Sequence, residues 1–177
     1  FEKIRIEDIK SKTRAFLKIQ DGCNQFCSYC IIPYARGPIR SREYEDIEEE
    51  AIRLAGAGFK EIVLTGIHVA SYGKDLKKES LNEVISKISR IEGIERIRLS
   101  SVEPGLIDEE FMKCIVESGK VCDHFHLSLQ SGSDSVLKRM NRRYDTQEFK
   151  KKAELIRRYM PNAGLTTDII VGFPGET

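Results

Sequence analysis

Three cysteines share one short segment, QDGCNQFCSYCI, as Cys23, Cys27 and Cys30. The spacing is C-x3-C-x2-C. Three thiolates this close along a chain can each take one iron of a single iron–sulfur cube. The fourth iron then has no protein ligand and is open to a small molecule that offers an amine and a carboxylate. The competing chemistry is zinc, which in structural sites takes four ligands, typically from paired C-x2-C units. No second pair is present. Cys114 and Cys122 lie far downstream, where they read as small buried hydrophobes, and His68 is the residue that could complete a zinc set.

The elements around this segment alternate strand and helix. Ala15 to Gln20 reads as a short buried strand that delivers the chain into the cysteine loop. Helical spacing of apolar residues follows over Asp46 to Ala57, with Asp46 and Glu49 forming a capping-box pattern. Glu61 to Thr65 is the next strand. Ser80 and Glu83 cap a helix carrying Leu81, Val84, Ile85 and Ile88 on one stripe. Arg96 to Ser100, His124 to Leu129 and Leu165 to Val171 read as further strands, and Asp108 to Ser118 and Asp145 to Met160 as further helices. Five strands separated by helices predict an α/β fold with a parallel sheet. Periodicity alone allows either a doubly wound sheet or a β/α barrel. In both, ligands bind at the carboxyl ends of the strands.

Composition sets outer bounds. A chain of 177 residues can bury about 70% of its unfolded surface. Hydrophobic residues at 40% and charged residues at 32% match a folded domain rather than a disordered one. No apolar run reaches the roughly 20 residues that span a bilayer, and no signal peptide opens the chain, which predicts a cytoplasmic protein without a membrane partner. Five cysteines, an odd number, argue against a disulfide framework. The net charge is only +1, but the cations cluster. Arg36, Arg40 and Arg42 follow the cysteines, and Lys138, Arg139, Arg142 and Arg143 follow the fourth strand; both groups are candidates for substrate contact. Lys150, Lys151, Lys152, Arg157 and Arg158 fit a solvated helix face equally well. Phe1 to Thr13 reads as a linker, and a first residue other than Met reads as a piece of a longer protein.

The cysteine motif, with Tyr29 as the aromatic residue before the third cysteine, resembles the radical S-adenosylmethionine (SAM) superfamily. More narrowly, DGCNQFCSYCIIPYARGPIRSR, LTGIHVASYG, LSSVEP, HFHLSLQSGSDSVLKRMNRRY and TTDIIVGFPGET are similar, in this order, to methylthiotransferases acting on tRNA or on a ribosomal-protein aspartate. HLSLQSG and TGIHV are most similar to the branch that modifies N6-threonylcarbamoyladenosine beside the anticodon, rather than isopentenyladenosine.

The resemblance implies a parallel-stranded partial (β/α) barrel of the TIM-barrel-like radical SAM type, spanning residues 14–177 and truncated after the fifth strand. It implies a 4Fe-4S cluster on Cys23, Cys27 and Cys30 and SAM on the open iron, cleaved by one electron from the cluster to a 5′-deoxyadenosyl radical. Carried over by position, Gly66 and His68 would lie at the methionyl amine, Ser128 and Gln130 at the ribose, and Tyr29, Ile170 and Gly172 at the adenine. Arg139 and Arg142 would meet the methionyl carboxylate or RNA phosphate. Each position also has an ordinary structural explanation: turn geometry for Gly66, a hydrogen-bonded histidine for His68, a solvated strand end for Ser128 and Gln130, a core strand for Ile170. Glu103, at the end of the third strand, is a binding or capping carboxylate. The implied reaction replaces a C–H bond at C2 of the adenine with C–S–CH3. It calls for an electron donor, the tRNA anticodon loop as substrate, and a second 4Fe-4S cluster in an upstream domain outside this sequence, so that this piece alone is expected not to complete the reaction. The alternative of another class is a non-catalytic metal-binding scaffold.

Overall fold

A computed structural model describes residues 13–76 and 80–176. The linker expected over residues 1–13 therefore lies, apart from Thr13, outside the described residues.

Strand β1 (Arg14–Asp21) turns Ala15, Leu17 and Ile19 into the core, the two-residue period of a strand. After the cysteine loop come helix α1 (Ile32–Arg36), strand β2 (Arg40–Ser41) and helix α2 (Tyr44–Gly56). Strand β3 (Glu61–Gly66) runs parallel to β1, with Glu61, Ile62, Val63 and Leu64 all buried, as a strand covered on both faces requires. Helix α3 (Leu81–Ile88), strand β4 (Arg96–Leu99) and helix α4 (Glu109–Ser118) follow, with β4 parallel to β3. Single parallel bridges, Ile97 to Val121 and Val102 to Leu127, carry the sheet onward to strand β5 (His124–His126). Helices α5 (Asp134–Arg139) and α6 (Thr146–Tyr159) then lead to strand β6 (Gly164–Thr166), parallel to β5.

The order of the parallel strands decides between the two predicted architectures. A doubly wound sheet reverses direction part-way, creating a switch point. Here β1, β3, β4, β5 and β6 follow one another to the same side, the order of a β/α barrel wall. The exception is β2, antiparallel on the other edge of β1 through Gln20 to Ser41 and Asp21 to Arg40. Its two residues carry no periodic signal. The short helices α1 and α5 were likewise not expected; each sits in a loop that follows a strand.

Helix α3 starts as expected: the Ser80 side chain accepts from the Glu83 N–H while Glu83 accepts from the Ser80 N–H. Asp108 and Asp145 cap α4 and α6 in the same sense, accepting from Phe111 and Glu148. Helix α2 departs from expectation. It begins two residues earlier than Asp46, with Glu43 at the cap position and no side-chain cap. Burial of Tyr44, the Arg42 to Glu50 ion pair at 2.5 Å and an Arg42 bond to the Asp46 carbonyl anchor that first turn from the side instead. Arg42 is thereby a buried structural cation, not the substrate contact expected of it.

The last two strands are shorter than predicted, for one reason. Thr167 Oγ1 donates to the Leu127 carbonyl at 2.6 Å and accepts from the Leu129 N–H at 3.0 Å. This side chain replaces the backbone ladder, so the segments expected over His124 to Leu129 and Leu165 to Val171 end at His126 and Thr166. Pairing resumes for one step, where Gln130 and Ile169 bridge.

The core joins the inner faces of β1, β3 and β4 to α2, α3 and α4, through Leu17, Ile47, Leu54, Leu64, Ile85, Ile97 and Phe111 among others. At its rim Glu61 accepts from Arg96 and Arg98, each at 2.9 Å, tying β3 to β4. Burial pushes the Glu61 carboxyl up, but the two guanidinium hydrogen bonds outweigh it and hold its pKa below the ordinary value. A carboxyl depressed on folding contributes stability above its unfolded pKa and loses it as pH falls. Urea unfolding followed from pH 7 down to about pH 3 should show a loss of stability below the unfolded carboxyl value of about 4.3. Glu61→Gln should flatten that part of the profile and cost about 2–3 kcal/mol at neutral pH.

Candidate metal centre

The cysteine loop is an excursion from the end of β1 that is closed at its base. Gly22 adopts φ +71° and lies so close to the returning chain that a Cβ there would sit 1.9 Å from the Pro38 carbonyl oxygen. Only glycine fits both constraints. The Cys23 N–H donates to the Gly37 carbonyl at 3.1 Å, and the Ile39 N–H donates to Asn24 Oδ1 at 3.3 Å. The β1–β2 pairing completes the closure. The tip of the loop has no regular structure, and Phe26 is held at φ +52°, a region that bulky residues rarely enter.

All five cysteines are free thiols. Two of the three in the loop receive N–H donors: the Gln25 backbone donates to Cys23 Sγ at 3.4 Å, and Arg142 donates to Cys27 Sγ at 3.1 Å. Burial raises the Cys23 thiol pKa, and repulsion from Cys27 and Cys30 adds to it. Burial also lifts the Tyr29 hydroxyl, to about 12. Among the described residues, no three His, Cys, Asp or Glu side chains converge on one metal ion. A zinc tetrahedron would need such convergence. In a cluster each sulfur binds its own iron and N–H donors to the sulfurs tune it; Cys23 and Cys27 each have one such donor.

His68 is not placed as a fourth zinc ligand. Its Nδ1 pairs with Ser71 Oγ and its Nε2 with Glu103 at 3.0 Å, so both ring nitrogens are engaged. Glu103 is the centre of a larger arrangement. It accepts from Gln25 Nε2 at 2.8 Å, from His68, and from Arg142 at 2.9 Å, joining the cysteine loop, the loop after β3 and the segment after α5. Burial works against its charge, but the His68 hydrogen bond and the His68 and Arg142 charges hold its pKa below the ordinary value. Arg142 also donates through Nε to the Tyr144 hydroxyl at 3.0 Å, and that hydroxyl donates to the Ser128 and Leu129 carbonyls. Burial disfavours the guanidinium, yet Tyr144, Glu103 and Cys27 keep it firmly charged.

The turn after α5 grips the loop from the other side. Asn141 Nδ2 donates to the Phe26 carbonyl at 2.9 Å, the Ser28 N–H donates to the Met140 carbonyl at 3.1 Å, and Ser28 Oγ donates to the Arg139 carbonyl at 2.9 Å. Asn141 and Gln25 were not singled out from the sequence. Asn141 has φ +58°, a conformation asparagine tolerates, but a single Asn gives no sign of it in sequence.

The other candidates are spread along the strand ends. Gly66 is packed against Gln20: a Cβ there would lie 2.9 Å from Gln20 Oε1, which itself accepts from the His68 N–H. Its need for glycine is thus explained by Gln20. Ser128 and Gln130 were expected to share a strand face, but Gln130 has φ +71° and breaks the alternation. The Ile170 N–H donates to the Gln130 carbonyl at 2.8 Å. Gly172 has φ +72° and is exposed. Arg139 reaches the Gly175 carbonyl at 3.0 Å. A cleft of about 490 Å³ opens against the cysteine loop between Asn24, Gln25, Ile39, Lys74 and Arg143. A second, of about 390 Å³, lies between Tyr72, Leu81 and Phe111; Cys23, Cys27 and Cys30 line neither cleft.

Residues 17–177 match the sequence profile of the Radical SAM superfamily. The chain belongs to the radical SAM superfamily. It is 45% identical, over its whole length and 40% of the relative, to the threonylcarbamoyladenosine tRNA methylthiotransferase MtaB of Bacillus subtilis. It is 50% identical, over 96% of its length and 38% of the relative, to the tRNA-2-methylthio-N(6)-dimethylallyladenosine synthase of Clostridium tetani. The chain thus spans about two fifths of these curated relatives. Among solved structures, the radical SAM methyltransferase TsrM of Kitasatospora setae superposes with a TM-score of 0.71 over 93% of this chain and 31% of that one, at 20% identity, which shows the shared fold. Membership in the superfamily implies a 4Fe-4S cluster and SAM.

The closed base of the loop gives a direct test. Gly22→Ala adds roughly 1–2 kcal/mol of left-handed backbone cost and collides with Pro38. It should cut iron and sulfide uptake on anaerobic reconstitution several-fold while leaving the far-ultraviolet circular dichroism unchanged. Full loading of the variant would contradict the role given to this contact.

Proposed function

We propose that this chain is the catalytic core of a methylthiotransferase acting on adenosine beside the tRNA anticodon, with N6-threonylcarbamoyladenosine as its substrate. The observation that carries the reading is the set of three free thiols on one loop, two of them supplied with N–H donors, at the carboxyl end of a parallel barrel wall. Cys23, Cys27 and Cys30 would hold the cluster. When bound, such a cluster delivers one electron to the sulfonium of SAM. The chain's own residues hold the loop in place: Asn141 and Ser28 fix its tip, Gly22 its base, and Glu103 with Arg142 its inner face. Tyr29, Gly66, His68, Ser128, Gln130, Ile170, Gly172 and Arg139 remain the proposed contacts of SAM, on the strength of the family resemblance. The engaged N–H of Ile170 leaves its side chain as the part available to adenine.

The substrate reading draws on both kinds of relative, whose names specify tRNA adenosines. The cleft beside the loop favours the threonylcarbamoyl form. That group ends in a carboxylate, whereas the dimethylallyl group is apolar. Lys74 and Arg143 border the cleft, and among the described residues the Arg143 side chain hydrogen-bonds the Asn24 carbonyl, at 3.4 Å. Asp75, the acidic residue of the lining, is tied to Ser41 by bonds of 2.8 and 2.5 Å. Exposed aromatic side chains at Phe26 and Tyr34, packed edge to face beside the cysteines, suit the stacking by which unpaired RNA bases are held. Sulfur delivery would rest on a second cluster in an upstream domain, and reduction on an external electron donor.

Two experiments test the reading. Anaerobic reconstitution with iron and sulfide should give a brown protein that forms 5′-deoxyadenosine from SAM under a strong reductant, and Cys27→Ala should abolish it. A colourless protein carrying one zinc would overturn the assignment. In the full-length protein, Lys74→Gln with Arg143→Gln should raise KM for threonylcarbamoyl tRNA about two- to thirtyfold, on the order of 0.2–1 kcal/mol per contact. Equal losses on dimethylallyl tRNA would refute a carboxylate contact.

A further inference from the structure

Arg142 stands apart from the other cations of the chain. Its side chain is only 8% exposed, and its three nitrogens are directed at three different groups: Glu103, the Tyr144 hydroxyl and the Cys27 sulfur. A cation serving only to offset Glu103 has no need of a thiol, and one serving RNA phosphate would not be buried. We propose that Arg142 sets the reduction potential of the cluster through its hydrogen bond to the Cys27 sulfur, and that Glu103 and His68 are positioning residues that aim it. This inference rests on the cluster reading given above.

The physical basis is charge. One-electron reduction adds a negative charge that spreads over the cluster and its thiolate sulfurs. An N–H donor to a ligand sulfur, and a fixed positive charge behind it, stabilise the reduced form more than the oxidised one. The bond is charge-assisted, since a guanidinium carries its charge throughout the range in which proteins fold. Its direction is not left to Arg142 alone. Tyr144 holds Nε, and Tyr144 is itself bonded to the Ser128 and Leu129 carbonyls. Glu103 holds one terminal nitrogen and is fixed in turn by His68 and Gln25. His68 is oriented by Ser71 and by its backbone bond to Gln20. Five segments of the chain thus converge on the placement of one N–H at one sulfur. Glu103 also partly cancels the charge that the cluster feels, so the pair can be tuned from either side.

The two members of the pair make opposite predictions. In the reconstituted protein without SAM, a mediated redox titration read by electron paramagnetic resonance should show Arg142→Gln with about a tenfold lower ratio of reduced to oxidised cluster at a fixed potential. That ratio corresponds to a shift of about 59 mV for a one-electron couple. Glu103→Gln removes the compensating charge while Tyr144 still holds Arg142, so its ratio should rise. Iron content is measured alongside. Loss of packing alone would move both variants in the same direction. Should Arg142→Gln fail to load iron, the sign of the Glu103→Gln shift decides. A loaded Arg142→Gln with an unchanged potential and weakened SAM binding would assign Arg142 to the cofactor carboxylate and overturn the inference. A wild-type protein that loads no cluster would overturn the cluster reading itself.

Discussion

An irregular loop has to hold three sulfur atoms in register, and it lacks the internal ladder that would let it do so alone. From Gly22 to Ile31 the chain forms neither helix nor strand, and its tip passes through a backbone conformation that costs of order 1–3 kcal/mol at Phe26. The rest of the structure supplies what the loop lacks. The base is closed by β2 and by the Gly22 contact with Pro38. The tip is clasped by the turn after α5 through Asn141, Met140 and Arg139. The inner face is held by a buried carboxylate that draws donors from three segments. Burying that charge is costly, and a buried ion pair is a poor source of stability. Its retention here is explained by placement: it fixes the loop relative to strand ends that are otherwise far apart in sequence.

The barrel wall makes this possible. Parallel strands added to one side bring every loop at their carboxyl ends to the same rim. Gln20 ends β1, His68 follows β3, Glu103 follows β4 and Ser128 follows β5, and all four meet around Arg142 or its partners. The helices outside the wall need carry no chemistry. Their apolar stripes and caps, such as Ser80 with Glu83 on α3, serve to hold the strands at the spacing that the rim requires.

Much of this was legible in the residues. The cysteine spacing announced the loop, strand and helix alternation announced the parallel sheet, and the capping pair at Ser80 marked a helix start that the structure shares. What escaped has physical causes. A strand as short as Arg40–Ser41 has no period to detect. The ends of β5 and β6 are set by one threonine side chain, Thr167, that displaces a backbone ladder, and its neighbours read as ordinary strand. Barrel and doubly wound sheet differ in strand order, which is a long-range property that periodicity does not carry. The roles of Gln25 and Asn141 are set by partners more than seventy residues away in sequence. Arg42 and Arg142 looked alike as loop cations; one is matched to Glu50 beside a helix start, the other to Glu103 and Cys27. Only the folded chain separates them.

On the proposed function, three thiolates leave one metal corner free for a sulfonium cofactor. Iron-57 Mössbauer spectroscopy of the reconstituted protein addresses it directly, because it reports each iron by its ligands. A four-iron cluster is expected in which one iron changes its isomer shift when SAM is added while the other three do not. A cluster whose irons are all indifferent to SAM, or one that persists when Cys23, Cys27 and Cys30 are replaced together by alanine, would contradict it.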